Sequence, residues 1–137
     1  MNIGIIYSTE KRVIEKLVNG LKRGLEEQGN TVMLFPDNST TFSGLASCRH
    51  IFVGSFITAA FKPKTPPRLR DALSKVPGIS GKRSIAFIAS GGLGARKALL
   101  VLMNDMEKQG CFIIDQKAFS SENDAYQFGK TIKLKDV

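Results

Sequence analysis

Short apolar runs recur at regular intervals along this chain. Each run is almost continuously apolar and does not alternate with polar residues. Such runs are typical of strands that are covered on both faces, as in a parallel sheet. The pattern therefore predicts five strands. They span Ile3–Tyr7, Thr31–Phe35, His50–Gly54, Ser84–Ala89 and Cys111–Asp115.

Between the strands, apolar residues recur at helical spacing. The first and fourth connections each carry one apolar stripe, which is the pattern of an amphipathic helix. Gly29 and Gly110 follow these stripes, and glycine there favours a left-handed helix end. The stripes consist of Ile14, Leu17, Val18, Leu21 and Leu25, and of Ala95, Ala98, Leu99, Leu102 and Met106.

Two further helices are predicted from their start signals. One begins near Pro66 and Pro67, because proline is tolerated in a first helical turn. The other spans Glu122–Thr131, with Ser121 as the candidate N-cap. Residues 38–48 hold at most a short helical turn. The inward positions of these two helices are Leu69, Ala72 and Leu73, and Ala125, Phe128 and Gly129.

The alternation of strands and helices predicts a single α/β domain over residues 1–137. Right-handed crossovers place helices on both faces of a parallel sheet. Five strands in this format favour the order 2-1-3-4-5, in which ligands bind beyond the carboxyl ends of strands 1 and 3. The candidate site is thus formed by three loops, Ser8–Arg12, Ser55–Pro66 and Ser90–Gly94.

Composition and the placement of the cysteines argue against a membrane protein, a secreted protein and a metal-binding protein. Hydrophobic residues make up 42% of the chain and no apolar run reaches the length of a membrane span, so we expect no membrane association. Cys48 and Cys111 lie outside any CxxC motif, and we expect packed thiols in a cytoplasmic protein without a secretory leader. Cys48 and His50 supply at most two metal ligands, so no metal site is predicted.

The net charge of +8 is unevenly distributed. Residues 62–83 carry seven Lys or Arg side chains against the single acid Asp71. A local basic patch favours an anionic partner, such as an acidic protein, a phosphate or a nucleic acid. A solvated basic helix is an equally weighted alternative. The basic residues are Lys62, Lys64, Arg68, Arg70, Lys75, Lys82 and Arg83.

An ordered set of segments runs through nearly the whole chain. The segments are Ile5-Ile6-Tyr7-Ser8, Phe52-Val53-Gly54-Ser55 followed by Lys62-Pro63 and Leu69, Ser80–Phe87 leading into Ser90-Gly91-Gly92-Leu93-Gly94, and Ala125–Lys130. This set resembles the flavodoxin-like family. The resemblance implies a flavodoxin-like three-layer sandwich that binds flavin mononucleotide (FMN) at the three loops named above.

Two of the loops match the FMN-binding pattern at least in part. Glycines in the third loop let the backbone approach a flat ring closely, and the resemblance places that loop at the pyrimidine end of the flavin. A glycine-rich turn without ligand is the alternative. In the second loop we expect Phe56 to face a ligand and Phe61 a partner, although either ring also suits the sheet edge. The candidate ligand residues are Ser55, Phe56, Ile57 and Thr58, and Ser90, Gly91, Gly92, Leu93 and Gly94.

The first loop departs from the family. Its phosphate-binding signature is Ser/Thr-x-Thr-Gly-x-Thr, whereas this chain reads Ser8-Thr9-Glu10-Lys11-Arg12-Val13. The glycine is lost, and Glu10 adds a negative charge near the phosphate position. Lys11 and Arg12 are candidates to offset that charge. The alternative, which we favour, is that Ser8 or Thr9 is an ordinary helix N-cap.

Two functions follow from the resemblance. The first is an FMN-binding electron-transfer module with an acidic redox partner, and if the protein is an enzyme we expect a flavin-dependent oxidoreductase. The alternative is a cofactor-free interaction or regulatory domain that binds an acidic protein. Nucleic acid is not favoured, because no recognition motif is present. A monomer and a homodimer both remain open. The candidate partner-binding residues are Phe61, Lys62, Lys64, Arg68 and Arg70.

Overall fold

The computed structural model describes residues 1–59, 61–89 and 94–134. Five parallel strands form one sheet in the order β2-β1-β3-β4-β5, which confirms the predicted topology. The strands are β1 (Asn2–Tyr7), β2 (Thr31–Pro36), β3 (His50–Ser55), β4 (Arg83–Ala89) and β5 (Phe112–Phe119). The helices are α1 (Arg12–Glu27), α2 (Pro67–Lys75), α3 (Ala95–Lys108) and α4 (Glu122–Thr131), with one 3₁₀ turn at Leu45–Ser47.

The sheet is covered on both faces, as the continuous apolar runs predict. Ile3 and Ile5 of β1 pack with α1 and α4, whereas Ile6 of the same strand packs with α2 and α3. Because successive strand residues point to opposite faces, a strand with two buried faces needs apolar residues at nearly every position. The carboxyl ends of the strands then form one edge, where the loops that precede α1, α2 and α3 meet.

Helices α1 and α4 touch through their backbones. A Cβ atom added at Gly24 would lie 2.3 Å from the carbonyl oxygen of Tyr126, and one added at Gly129 would lie 2.6 Å from the carbonyl oxygen of Leu21. No ordinary side chain fits at such distances, so glycine sets this close approach. The helical stripes predicted which faces are buried but not how near the two axes come.

Most predicted ends are confirmed. Gly29 and Gly110 have φ angles of 92° and 87°, the left-handed conformation expected after α1 and α3. The Ser121 hydroxyl accepts the backbone N–H of Asp124 at 3.1 Å and caps α4. The prediction for β5 was too short and began one residue early. It is an edge strand with a register shift, and the exposed polar residues at 115–117 resemble a loop in the sequence.

The two cysteines are packed thiols, as predicted. Cys48 and Cys111 are both free and buried, and burial raises the pKa of each thiol. In the part of the chain that the structure describes, no helix combines the length and apolarity that a bilayer crossing requires.

Candidate functional site

The loops at the carboxyl edge of the sheet converge through three contacts. Lys11 Nζ lies 4.8 Å from the ring centroid of Phe56, which joins the first loop to the second. Arg68 at the start of α2 donates from Nη1 to Thr9 Oγ1 at 3.4 Å. Lys97 Nζ lies 5.7 Å from the ring centroid of Phe61, which joins the second loop to α3. The structure thus brings together predicted residues of the first loop, the second loop and α2, whereas Lys97 of α3 was not predicted.

The first loop is tied to the neighbouring strands instead of capping its helix. Ser8 is buried, its N–H donates to the carbonyl of Gly54 at 3.0 Å, and its hydroxyl accepts the N–H of Glu10 at 3.4 Å. The prediction that Ser8 or Thr9 caps α1 is wrong. Lys11 occupies the N-cap position and makes no side-chain cap hydrogen bond.

Asp37 accepts hydrogen bonds from both the backbone N–H and the hydroxyl of Thr9. The Thr9 hydroxyl donates to Asp37 Oδ1 at 2.7 Å, and the Thr9 N–H donates to the same oxygen at 3.3 Å. Asp37 follows β2 directly, and its own N–H donates to the carbonyl of Tyr7 at 2.8 Å. Since β2 and β1 are adjacent and parallel, the residues after them share one edge. The N–H and hydroxyl of Thr9 therefore donate to a side-chain carboxylate, and Thr9 does not cap α1.

The Asp37 carboxylate is enclosed. The residue is only 6% exposed, and Oδ2 has no hydrogen-bond partner among the described residues. The carboxylate also affects the pKa of a neighbouring side chain. Burial, together with the carboxylates of Glu15 and Asp37, raises the pKa of Tyr7 at the end of β1. Sequence reasoning missed Asp37, although an acid directly after a strand next to β1 is a usable signal for this edge.

The second loop is folded back on itself. The Thr58 hydroxyl accepts the N–H of Lys64 and donates to the carbonyl of the same residue, both at 3.0 Å. This closure presents Phe61 outward, with 78% of the residue exposed. Phe56, by contrast, is 8% exposed and belongs to the core between the sheet and α1. Its ring is therefore not presented at the open edge, where we expected it to face a ligand.

The structure describes some of the other predicted ligand residues of the second and third loops. Ser55 is buried at the end of β3, and Ile57 packs partly against the core beneath α2 and α3. Gly94 precedes α3 with a φ angle of 93°, a conformation that favours glycine. Ser90, Gly91, Gly92 and Leu93 lie outside the described residues.

Cations surround this edge of the sheet. Residues 8–12, 55–68 and 94–97 hold seven Lys or Arg side chains and one acid, Glu10. We call these seven residues the basic rim. They are Lys11, Arg12, Lys62, Lys64, Arg68, Arg96 and Lys97. The last two were not predicted, because α3 reads as an ordinary amphipathic helix until its first turn is placed beside Phe61.

The predicted basic patch at 62–83 is not one surface. Lys82 and Arg83 lie at the amino end of β4, across the sheet from the basic rim. Lys82 Nζ donates to the carbonyls of Ala46 and Cys48 at 2.9 and 2.7 Å, so it joins two loops. These side chains line a separate open cavity of about 460 Å³. Arg70 is exposed on α2.

The first loop does not fit the phosphate of FMN. A phosphate at a helix start needs free N–H and O–H donors and little negative charge. Here both Thr9 donors are directed to Asp37, and Glu10 follows directly. Within the described residues, the exposed Phe61 is the aromatic side chain best placed to meet a ligand or partner at this edge.

Comparison with known proteins identifies the fold. No protein-family model and no curated protein matches the chain. Among solved structures, a short-chain flavodoxin associated with a bacterial microcompartment has a TM-score of 0.70 at 12% identity, covering 95% of both chains. Bacillus cereus flavodoxin 1 has a TM-score of 0.68 at 17% identity, covering 94% of this chain and 95% of that one.

A third structure agrees with these two. Megasphaera elsdenii flavodoxin in its two-electron reduced form has a TM-score of 0.68 at 15% identity, covering 94% of this chain and 99% of that one. Identity at this level is evidence for the fold and not for a shared activity. The strand order, the helices on both faces and these likenesses together show that the chain is a flavodoxin-like α/β domain.

Proposed function

We propose that this domain is a cofactor-free interaction module that binds an acidic protein partner at the basic rim. The observation that carries the proposal is the exposed Phe61 beside Lys97. The segments 8–12, 55–68 and 94–97 around it hold seven cations and one acid. An aromatic ring flanked by cations suits a protein surface that combines carboxylates with an apolar contact.

The two kinds of side chain have different roles in such a complex. Aromatic and Arg side chains near the centre of an interface account for much of the binding energy. Charges at its margin mainly raise the rate of association and select the partner. Phe61 is the candidate anchor, and Lys62, Lys64 and Lys97 are the candidate steering charges.

The loop geometry favours a protein over a nucleic acid. Proteins that bind single strands place several aromatic rings along a basic groove so that successive bases stack. At this edge Phe56 is buried, Tyr7 and Phe42 are half-buried, and Phe61 is the exposed ring among the described aromatic residues. The closure of the loop by Thr58 and Lys64 holds Phe61 outward, which suits one apolar contact.

A defined peptide tests the proposal. The probe is a synthetic peptide rich in Glu and Asp with one aromatic residue, titrated into the full chain by fluorescence anisotropy. We expect F61A to weaken binding roughly tenfold. The matched control is F112A, since Phe112 is 61% exposed on β5, away from the rim. F112A is expected to leave binding unchanged.

Charge reversal provides the second arm. K62E/K64E/K97E is expected to slow association and remove most of its salt dependence. K16E/K108E/K133E makes the same change in net charge at exposed positions outside the rim. Equal effects of the two triple variants, no binding of the peptide, or tighter binding of a single-stranded oligonucleotide would each overturn the proposal.

FMN-dependent electron transfer with an acidic redox partner is the second candidate function. Its support is the likeness to flavodoxins over nearly the whole chain. The hydrogen bonds from Thr9 to Asp37 argue against it, because they occupy donors that the FMN phosphate would need. Titration with FMN, followed by flavin fluorescence, separates the two candidates. Stoichiometric binding at micromolar FMN would favour electron transfer, and no binding at tens of micromolar would exclude it.

A further inference from the structure

The hydrogen bonds of Thr9 with Asp37 resemble those of a bound anion. Amide N–H groups and hydroxyls at the start of a helix commonly hold phosphate or sulfate, helped by the helix dipole. In this chain those donors precede α1, and Oδ1 of Asp37 accepts from the N–H and the hydroxyl of Thr9 at 3.3 and 2.7 Å. The carboxylate belongs to the protein itself, from a residue 28 positions along the chain.

We propose that Asp37 is a built-in anion that fills the anion site at the start of α1 and so excludes phosphate-bearing ligands from the crevice. Asp37 is thereby the specificity-determining residue of the first loop. The inference concerns the ligands that this loop rejects, and it does not depend on the partner proposed for the basic rim.

Two features hold the carboxylate in place. Arg68 donates to the Thr9 hydroxyl at 3.4 Å, and that hydroxyl donates to Asp37, so the hydroxyl proton points to the carboxylate. The Asp37 backbone is fixed by its N–H bond to Tyr7. An entering phosphate would need the same Thr9 donors.

The electrostatics work against an entering phosphate as well. Asp37 is more than nine-tenths buried and its Oδ2 has no partner among the described residues. A phosphate dianion placed beside it would meet an enclosed like charge, with the exposed Glu10 close along the chain. Like charges at such short range cost more in a partly desolvated site than in water.

Removal of the carboxylate provides the test, with inorganic phosphate as the probe. Phosphate is titrated into wild type, D37S and D37A at constant ionic strength, and backbone amide chemical shifts are followed by NMR. We expect D37S to bind phosphate at least tenfold more tightly than wild type, with the shifts centred on Thr9 and Lys11. D115S is the matched control, because Asp115 is an exposed acid on β5, at the opposite side of the sheet from β2, and its loss changes the net charge equally.

The outcomes are distinct. A gain in D37S but not in D115S supports the inference. Phosphate binding to wild type at Thr9 with the affinity of D37S would overturn it, as would a folded D37S that gains no binding. If D37S does not fold, D37A decides, since it also removes both the charge and the acceptor oxygen for Thr9. A gain in D37A then supports the inference, and no gain overturns it.

Discussion

The Thr9 hydroxyl donates a 2.7 Å hydrogen bond to Oδ1 of Asp37 and links the loop after β1 to the residue after β2. This bond replaces the helix cap that the sequence predicts. Lys11, the N-cap of α1, has the extended backbone that is usual at this position and makes no side-chain cap hydrogen bond. The first loop of this flavodoxin-like domain is thus organised around a carboxylate of the protein.

We expect T9V to destabilise the protein by about 1.5–3 kcal/mol, because a hydrogen bond to a charged, buried acceptor is lost. Urea unfolding measures the change. T31V, at an exposed position of β2, is the control and should change stability by less than about 0.5 kcal/mol. In a D37A background, the effect of T9V should shrink to a fraction of its value. An unchanged effect there would show that the two side chains are not coupled.

G24A tests the backbone contact between α1 and α4. Alanine normally stabilises a helix relative to glycine by about 1 kcal/mol. Here the added Cβ would meet the carbonyl oxygen of Tyr126 at 2.3 Å, so we expect destabilisation by about 1–3 kcal/mol from overpacking. The control is N19A, at an exposed position of the same helix, which should be neutral or slightly stabilising. Stabilisation by G24A would contradict the observed packing.

The two cysteines should react slowly with iodoacetamide in the native protein. Burial raises the pKa of Cys48 and of Cys111, which lowers the fraction of reactive thiolate at mildly alkaline pH. Labelling should therefore follow the opening of the structure and speed up strongly in denaturant. Mass spectrometry with and without denaturant measures this. Equal rates in the two conditions would contradict the burial of these thiols.

The sequence predicts the architecture well because both faces of the sheet are buried. Strand β3 lies between two helical layers, so its apolar run has few alternative interpretations. The prediction fails where that condition ends. β5 lies at the edge of the sheet, and its exposed residues Asp115, Gln116 and Lys117 resemble a loop.

The site is less predictable, because its contacts join residues that are far apart in the chain. The missing glycine and the added Glu10 show that the first loop differs from the family pattern. They do not indicate that Asp37, 28 positions after Thr9, accepts the hydrogen bonds of this loop. Likewise, sequence distinguishes Phe56 from Phe61 poorly, and the fold decides that one is buried and the other exposed.

Titration with FMN tests the account most directly, because it asks whether the crevice is a flavin site or a surface for a protein partner. Purified protein is freed of small molecules and titrated with FMN while the visible absorption and the flavin fluorescence are recorded. We predict no quenching and no spectral shift at tens of micromolar FMN. Saturable, stoichiometric binding with a shifted flavin spectrum would contradict the account.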